Sequence, residues 1–482
     1  MKKILFISVP ELDISFPPAA VAVLKPIALS AGYQMDLFDF NIDLHSKLSN
    51  NEWQDLISYC ELVADKMPVP LLNKIQNSFI KSLDRLVDDN TEYLAFSVFS
   101  IYSIRITKIL LDLTRLVYPS KKLICGGNGL SSKIDGMPKD FGLTLLDSNV
   151  VNYCIFGEGE LALASLLRGE IDHPGINSTN QKQISNLDDL PFADYEGIDM
   201  SQYSGNKLLI TGSRGCVRNC SFCDISKIWD KFRYRSANLL VEEIKKNFYA
   251  TGITAFEFTD SLINGSTKNF RRFNELLILA KEQDPNLASI TYSGQFICKQ
   301  KNNMEPEVYE LMHRAGCRQI TVGIESFSEK IRFHMGKKFS DSDIEYHLEQ
   351  CARWGIQNVW LMIVGYPTET TEDHQLTIDR LTEFKNYAKM NIIAYLRWGL
   401  TMHIYDDTPI SAMLDELGID AGIQNISDGL YSWSSDKNPM LTLDERIRRR
   451  LELHEISHAL GYKMPNVRSE LLSIKALAQG KL

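Results

Sequence analysis

The sequence predicts an α/β protein in three parts: an N-terminal doubly wound parallel sheet of the flavodoxin or Rossmann type, a (βα)6 partial TIM barrel, and a C-terminal helical region. Two alternations and one break carry this prediction. Short β-rich runs alternate with helical patterns over residues 1–170, a second series of strand and helix patterns fills residues 206–402, and the alternation stops over residues 403–482. Residues 171–205, rich in Asn, Gln, Asp, Pro and Gly, read as an interdomain linker.

In the first part the strand patterns are 3–8, 34–40, 93–98, 122–125 and 152–156, with helical patterns at 19–31, 103–117 and 160–167. Residues 53–88 have helical periodicity and look like an inserted helical pair, within about 50–90. Ligands of such sheets collect at the carboxyl ends of the strands. The segments expected there hold Ser97, Ser100, Gly126, Gly127, Gly157 and Glu158, and their glycines would let a backbone approach a bulky ligand.

In the second part strands are expected at 207–211, 254–259, 289–293, 319–324, 358–364 and 392–400, and helices at 237–250, 267–282, 305–315, 341–354 and 371–387. Working residues of barrels occupy the carboxyl ends of strands. Those ends hold Asp260 after the second strand, Ser293 on the third, Glu325 after the fourth, Gly365 after the fifth and Arg397 within the sixth. A buried carboxylate such as Glu325 would need a partner, and an inward Arg397 would need an anion.

The chain has 482 residues, 44% hydrophobic and 23% charged, enough for two or three domains with large cores. Its net charge of −9 argues against a broad phosphate-binding surface, so no general nucleic-acid binding is expected. The basic run from Arg446 to Arg450 sits among Asp444, Glu445 and Glu452 and reads as a solvated helix face. The apolar N-terminal run meets Pro10, Glu11 and Asp13 and reads as a first strand, not a signal peptide. No stretch approaches a membrane span. Nine cysteines, an odd count, fit a reducing cytoplasm, and six of them lie scattered among apolar neighbours as structural thiols.

The other three form the densest chemical signal: Cys216-Val217-Arg218-Asn219-Cys220-Ser221-Phe222-Cys223, directly after the first barrel strand. Three thiolates in one loop can ligate three irons of a [4Fe–4S] cube and leave the fourth iron open. Structural zinc is the competing reading, but zinc closes with four ligands, usually as two separated pairs, and the loop offers no fourth Cys or His.

This loop resembles the Cys-x3-Cys-x-aromatic-Cys signature of the radical S-adenosylmethionine (SAM) enzymes, with Phe222 in the aromatic slot. The resemblance implies that Cys216, Cys220 and Cys223 hold a [4Fe–4S] cluster. It implies that SAM chelates the open iron and lies against Phe222, and that one electron cleaves SAM to a 5′-deoxyadenosyl radical. Gly323-Ile324-Glu325-Ser326 recurs in the family and marks Glu325 as a SAM-pocket residue, while Gly365-Tyr366-Pro367-Thr368-Glu369-Thr370 is similar to a family segment whose Gly365 would let the adenine approach. Asp260, Ser293 and Arg397 complete the SAM candidates for the amine, the ribose and the carboxylate. A flavodoxin- or ferredoxin-like protein is implied as external electron donor.

Residues 1–170 resemble the cobalamin-binding domain that precedes many radical SAM cores, through Phe16-Pro17-Pro18, Ala31-Gly32-Tyr33, Cys125-Gly126-Gly127 and Phe156-Gly157-Glu158-Gly159-Glu160. The Asp-x-His-x-x-Gly motif of some cobalamin domains is absent, and Asp43-Leu44-His45 is only a partial echo, so no protein ligand to cobalt is expected. With both cofactors the family implies cobalamin-dependent methyl transfer to an unactivated centre. Rearrangement, cyclisation or oxidation by the same radical, and a SAM or cobalamin sensor without turnover, are the alternatives. The substrate, a small molecule or peptide, is not named by any segment.

One further motif is His454-Glu455-Ile456-Ser457-His458, formally that of a zinc hydrolase. Met464 stands where a third histidine would fall, so an amphipathic helix with solvated histidines is the better reading.

Overall fold

The computed structural model describes residues 1–464 apart from 11–12, 62–63, 133–138, 181, 400–401, 403, 405–407, 421–423 and 428–429. It divides into two compact units, residues 1–210 with 243–253, and residues 211–242 with 254–482.

The first unit is built on five parallel strands, β1 (Lys2–Ser8), β2 (Tyr33–Asp39), β3 (Thr91–Ser97), β4 (Lys122–Gly126) and β5 (Tyr153–Ile155), in the order β2-β1-β3-β4-β5. The order reverses at β1 and β3, which makes the sheet doubly wound as expected. Alternating side chains feed two cores. Ile4, Phe6, Tyr93 and Ala95 pack with the helices Ala19–Ser30 and Gly159–Leu167, while Leu5, Ile7, Leu94 and Phe96 pack on the opposite face. The insertion is three helices, Phe40–Lys47, Asn50–Cys60 and Val69–Leu86. Its apolar stripe enters the second core through Phe79, whose ring meets those of Phe38, Phe40 and Phe96 at 4.9–6.3 Å. His45 lies exposed on this insertion, edge-on to Trp53 at 4.9 Å.

The stretch expected as a linker packs on this unit instead of hanging free. Ile176 joins the first core, Ile184 and Leu187 are buried, and Tyr195, 1% exposed, donates its hydroxyl to the carbonyl of Leu209 at 2.7 Å. A few apolar residues in a polar stretch suffice to strap it down. The strand β6 (Lys207–Ile210) ends the unit's first segment.

The second unit begins with a two-residue ribbon, β7 (Ser213–Arg214) against β8 (Arg233–Tyr234), which closes the base of the cysteine loop. Then β9 (Ala255–Phe258), β10 (Thr291–Phe296), β11 (Cys317–Glu325), β12 (Gln357–Met362) and β13 (Ile393–Trp398) lie side by side in chain order, every pair parallel. The helices Thr267–Gln283, Pro306–Ala315, Asp341–Trp354 and Thr371–Lys389 join successive strands. Ser266 caps the first, Pro306 opens the second without a side-chain cap, and Ser340 and Thr370 form capping boxes with Asp343 and Asp373. This is the partial barrel the alternation predicts.

The C-terminal region differs from the expected helical appendage. Among the described residues it has one long helix, Leu443–Ala459, and an antiparallel ribbon of Gln424–Ser427 with Leu430–Ser432. In the sequence, Asp428-Gly429 is a hairpin signal that the expected helical appendage did not take into account; it lies outside the described residues. The basic run is also corrected. Arg446, Arg449 and Arg450 are buried, and only Arg448 of the four faces out. Their partners lie far along the chain: Arg446 stacks on Trp433 at 3.8 Å, Arg449 pairs with Glu369, and Arg450 donates to the carbonyl of Gly399. Among the described residues no helix is long and apolar enough to cross a membrane.

Candidate functional site

Gly215, at φ +84°, turns the chain out of β7 into the cysteine loop, and a Cβ there would lie 2.6 Å from the carbonyl of Lys231. All three cysteines of the loop are free, Cys220 buried and Cys216 and Cys223 half-buried. The Arg218 N–H points at the Cys216 sulfur, 3.4 Å away. Burial raises the Cys220 thiol above its ordinary value and pushes Cys223 up to about 11. Neither is an activated nucleophile, because nucleophilic cysteines have depressed values. What suits them is a metal that takes their protons.

Among the described residues no three His, Cys, Asp or Glu side chains are gathered closely enough to share one metal ion. Three cysteines on one loop would bind separate irons of a cube. The donor set, three free thiols on one partly exposed loop, therefore fits a [4Fe–4S] cluster.

The loop is fixed from two sides. The Ser221 N–H donates to the carbonyl of Met335 at 2.9 Å, and the Ile410 N–H donates to the carbonyl of Ser221 at 2.8 Å. The Ser221 hydroxyl meets the hydroxyl of buried Tyr366 at 2.9 Å, and Tyr366 in turn meets His334 Nδ1 at 2.8 Å. None of these contacts is legible in the sequence, since Tyr366 stands 145 residues from Ser221 and His334 lies on a different element again.

Asp260 is a buried clasp, not a rim group. Its Oδ1 accepts from the Gly212 N–H at 2.7 Å and its Oδ2 from the Ser213 hydroxyl at 2.6 Å, so it pins the chain that leads into the cysteines. Burial pushes its carboxyl from 3.8 up to about 7. A raised acid contributes stability that is complete below the unfolded value and is lost as pH rises through the folded one. The wild-type protein should therefore lose about 1.4 kcal/mol per pH unit between pH 5 and 7 from this group alone. Asp260→Asn should flatten that part of the stability profile, and denaturant midpoints at half-unit pH steps check it. An unchanged slope refutes the burial argument.

Glu325 sits at φ +67°, unusual for a residue with a side chain, where the β11 register shifts beside β12. Its carboxylate folds over Gly323, where an added Cβ would come within 2.2 Å of Oε1, and it pairs with Lys337 at 3.0 Å. Lys337 is buried and faces the Phe222 ring at 5.7 Å from its centroid. It follows the short helix Glu329–His334, which the sequence reading did not include, and stands beside Lys338.

Strand register carries this face outward. Gly323 lies beside Leu361, and Leu361 beside Arg397; Ser293 and Gln295 lie beside Gln319 and Thr321. Ser293, Glu325 and Arg397 thus share one face of the sheet, with Arg397 exposed. Tyr292 turns the other way, its hydroxyl on Asn274 Oδ1 at 2.6 Å.

Gly365 stands at the turn after β12. Its φ of +77° is what the turn needs, but the space over it is filled by the side chain of Arg446, whose Cγ would lie 2.6 Å from an added Cβ. The C-terminal helix fills the side of this glycine where a Cβ would stand. The zinc-like motif lies on the same helix, with Glu455 and His458 exposed and Ser457 turned inward onto Trp398 at 3.2 Å.

In the first unit, Ser97, Gly126 and Gly157 stand at the carboxyl ends of β3, β4 and β5, and Ser100 follows β3, half-buried. Phe99 and Tyr102 are exposed beside them. Gly127, at φ +112°, is bound to its own chain: an added Cβ would lie 2.4 Å from the Val98 carbonyl oxygen. Gly127→Ala should cost about 2–4 kcal/mol, read as a lower thermal midpoint for this unit, and a shift under about 1 kcal/mol would contradict the fit. Glu158 is buried, and its carboxylate accepts from the Ile184 N–H, which fastens the strap.

The sequence model of the Radical SAM superfamily matches residues 210–381. Over 256 residues the chain is 27% identical to an uncharacterised methyltransferase of Pyrococcus horikoshii, covering 49% of this chain and 54% of that one. The chain thus spans about half the length of that curated relative. Two solved structures share its fold. The radical S-adenosylmethionine methyltransferase TsrM of Kitasatospora setae, with cobalamin and a [4Fe–4S] cluster bound, superposes with a TM-score of 0.65 at 17% identity over 89% of this chain and 82% of its own. The cobalamin-dependent S-adenosylmethionine radical enzyme OxsB superposes with a TM-score of 0.68 at 15% identity over 99% of this chain and 71% of its own.

Proposed function

We propose, from the match of the Radical SAM superfamily model to residues 210–381, that the chain is a cobalamin-dependent radical SAM enzyme that transfers a methyl group to an unactivated centre. The single observation that carries the radical reading is the loop of Cys216, Cys220 and Cys223, three free thiols in one loop held by Ser221 and Asp260 contacts. The relatives' printed activities support methyl transfer.

In this reading the three thiolates hold the cluster, and the face that bears Phe222, Ser293, Glu325 and Arg397 receives SAM. Arg397, exposed and cationic, suits its carboxylate, and Ser293 its ribose. Asp260 and Gly365 have other work, as the loop's clasp and the seat of Arg446. The carboxyl ends of β3, β4 and β5, with Ser97, Ser100, Gly126 and Gly157, receive cobalamin, and the exposed Phe99 and Tyr102 offer apolar cover there. When bound, the cluster and SAM supply a one-electron cleavage to a 5′-deoxyadenosyl radical, and cobalamin supplies a transferable methyl group. The protein's own residues bind, orient and exclude water. The electron comes from an external donor of the flavodoxin or ferredoxin kind.

Anaerobic reconstitution with iron, sulfide and hydroxocobalamin, followed by reduction with methyl-labelled SAM, tests the proposal. Bound cobalamin together with 5′-deoxyadenosine is the expected result. Deoxyadenosine without cobalamin retention removes the methyl-transfer half, and absence of both removes the whole.

A further inference from the structure

We propose that Lys337 is a positioning residue that supplies the fixed positive charge beside the cysteine loop and, through its ion pair with Glu325, sets the reduction potential of the cluster held there. The inference rests on the reading above that this loop holds a [4Fe–4S] cluster.

The lysine is stitched to the loop by its backbone and to the barrel by its side chain. Met335, two residues before it, accepts from Ser221, and Gly336, at φ +83°, lies so near the loop that an added Cβ would be 3.1 Å from the Asn219 carbonyl oxygen and 3.5 Å from the Cys220 Cα. From there the ammonium donates to Glu325 Oε1 and to the Gly323 carbonyl, each at 3.0 Å. The two partners' side chains are only 10% and 9% exposed. Its third neighbour is the ring of Phe222, between Cys220 and Cys223 in sequence.

Such a buried group keeps its charge only with anionic company. Burial works against the Lys337 ammonium, and the Glu325 carboxylate 3.0 Å away is the anion that holds its charge. The pair is therefore ordered, with the cation against the Phe222 ring of the cysteine loop and the carboxylate folded over Gly323 at the end of β11. The positive φ of Glu325 persists because this pair over-determines it.

Charge near a cluster tunes its potential, and it acts strongly where water is excluded. Reduction adds one electron from a donor such as dithionite to the 2+ cube to give the 1+ cube, with no bond made or broken. A neighbouring cation favours the added electron and a neighbouring anion opposes it.

The test is a potentiometric titration of the reconstituted cluster followed by electron paramagnetic resonance. Glu325→Gln leaves the ammonium and removes the anion, so the midpoint should move to a less negative potential than wild type. Adding Lys337→Met to that variant removes the cation and should bring the midpoint back down. Lys337→Arg alone should stay near wild type. Equal midpoints in the Glu325→Gln protein and the double variant, or a downward move in Glu325→Gln alone, overturn the proposal. Should the double variant fail to hold iron, the comparison of Glu325→Gln and Lys337→Arg with wild type still decides it by sign. A wild-type protein that assembles no cluster sinks the functional reading instead, so the two failures are told apart.

Discussion

Replacing Cys216, Cys220 or Cys223 singly by Ala is expected to abolish the brown charge-transfer absorption and to lower reductive SAM cleavage by on the order of a thousandfold or more. The loss is large because each thiolate would bind a different iron, and no spare cysteine among the described residues lies in the loop to replace it. The fold should survive. Cys216 and Cys223 are half-buried and the loop is held by Ser221, Asp260 and Tyr366, so a small apolar replacement costs about 1 kcal/mol or less. Iron and sulfide analysis alongside circular dichroism separates the two effects. Any single variant that keeps a full cube and wild-type cleavage refutes the assignment of that cysteine. Cys298→Ala is the internal control: that thiol is wholly buried and its sulfur contacts the Asp343 carbonyl at 3.8 Å, so its loss should leave iron content unchanged.

The alternation of strands and helices was legible because periodicity is local. A strand with one face on Phe79 and the other on Ala28 shows its pattern within six or seven residues. The cysteine spacing was legible for the same reason. What escaped were groups whose meaning depends on partners far along the chain. Lys337 carries no local sign of burial, Asp260 reads as a rim carboxylate until Gly212 and Ser213 are seen upon it, and Gly365 reads as a ligand seat until Arg446 is found there. The buried arginines were hidden most completely. Charges at one-residue and three-residue spacing look like a solvated face, and only Trp433, Glu369 and Gly399, from 13 to 80 residues away, turn three of them inward.

Those arginines make the second large prediction. Arg449 donates to Glu369 Oε1 at 2.8 Å, to the Thr370 carbonyl at 3.0 Å and to Glu445 Oε1 at 2.8 Å, while Glu369 Oε2 accepts from the Gly365 N–H at 3.1 Å. The ion pair is nearly dry, with the two side chains 2% and 8% exposed. Arg449→Met should destabilise the second unit by about 3–5 kcal/mol, because it strands a buried carboxylate, whereas Arg449→Met with Glu369→Leu should recover most of that loss. Burial already raises the Glu369 carboxyl, and without Arg449 it should rise further. A group raised in the folded state loses stability as pH increases, so the single variant's deficit should be larger at pH 8 than at pH 6. Calorimetric midpoints of the four proteins of this cycle at both pH values measure it. The consequence reaches the cysteine loop, since the same segment carries Tyr366, whose hydroxyl bonds Ser221. Loosening the clasp should therefore also speed iron loss from the reconstituted protein. A deficit under about 1 kcal/mol, or one that shrinks as pH rises, would mean that the C-terminal helix is not what holds this turn in place.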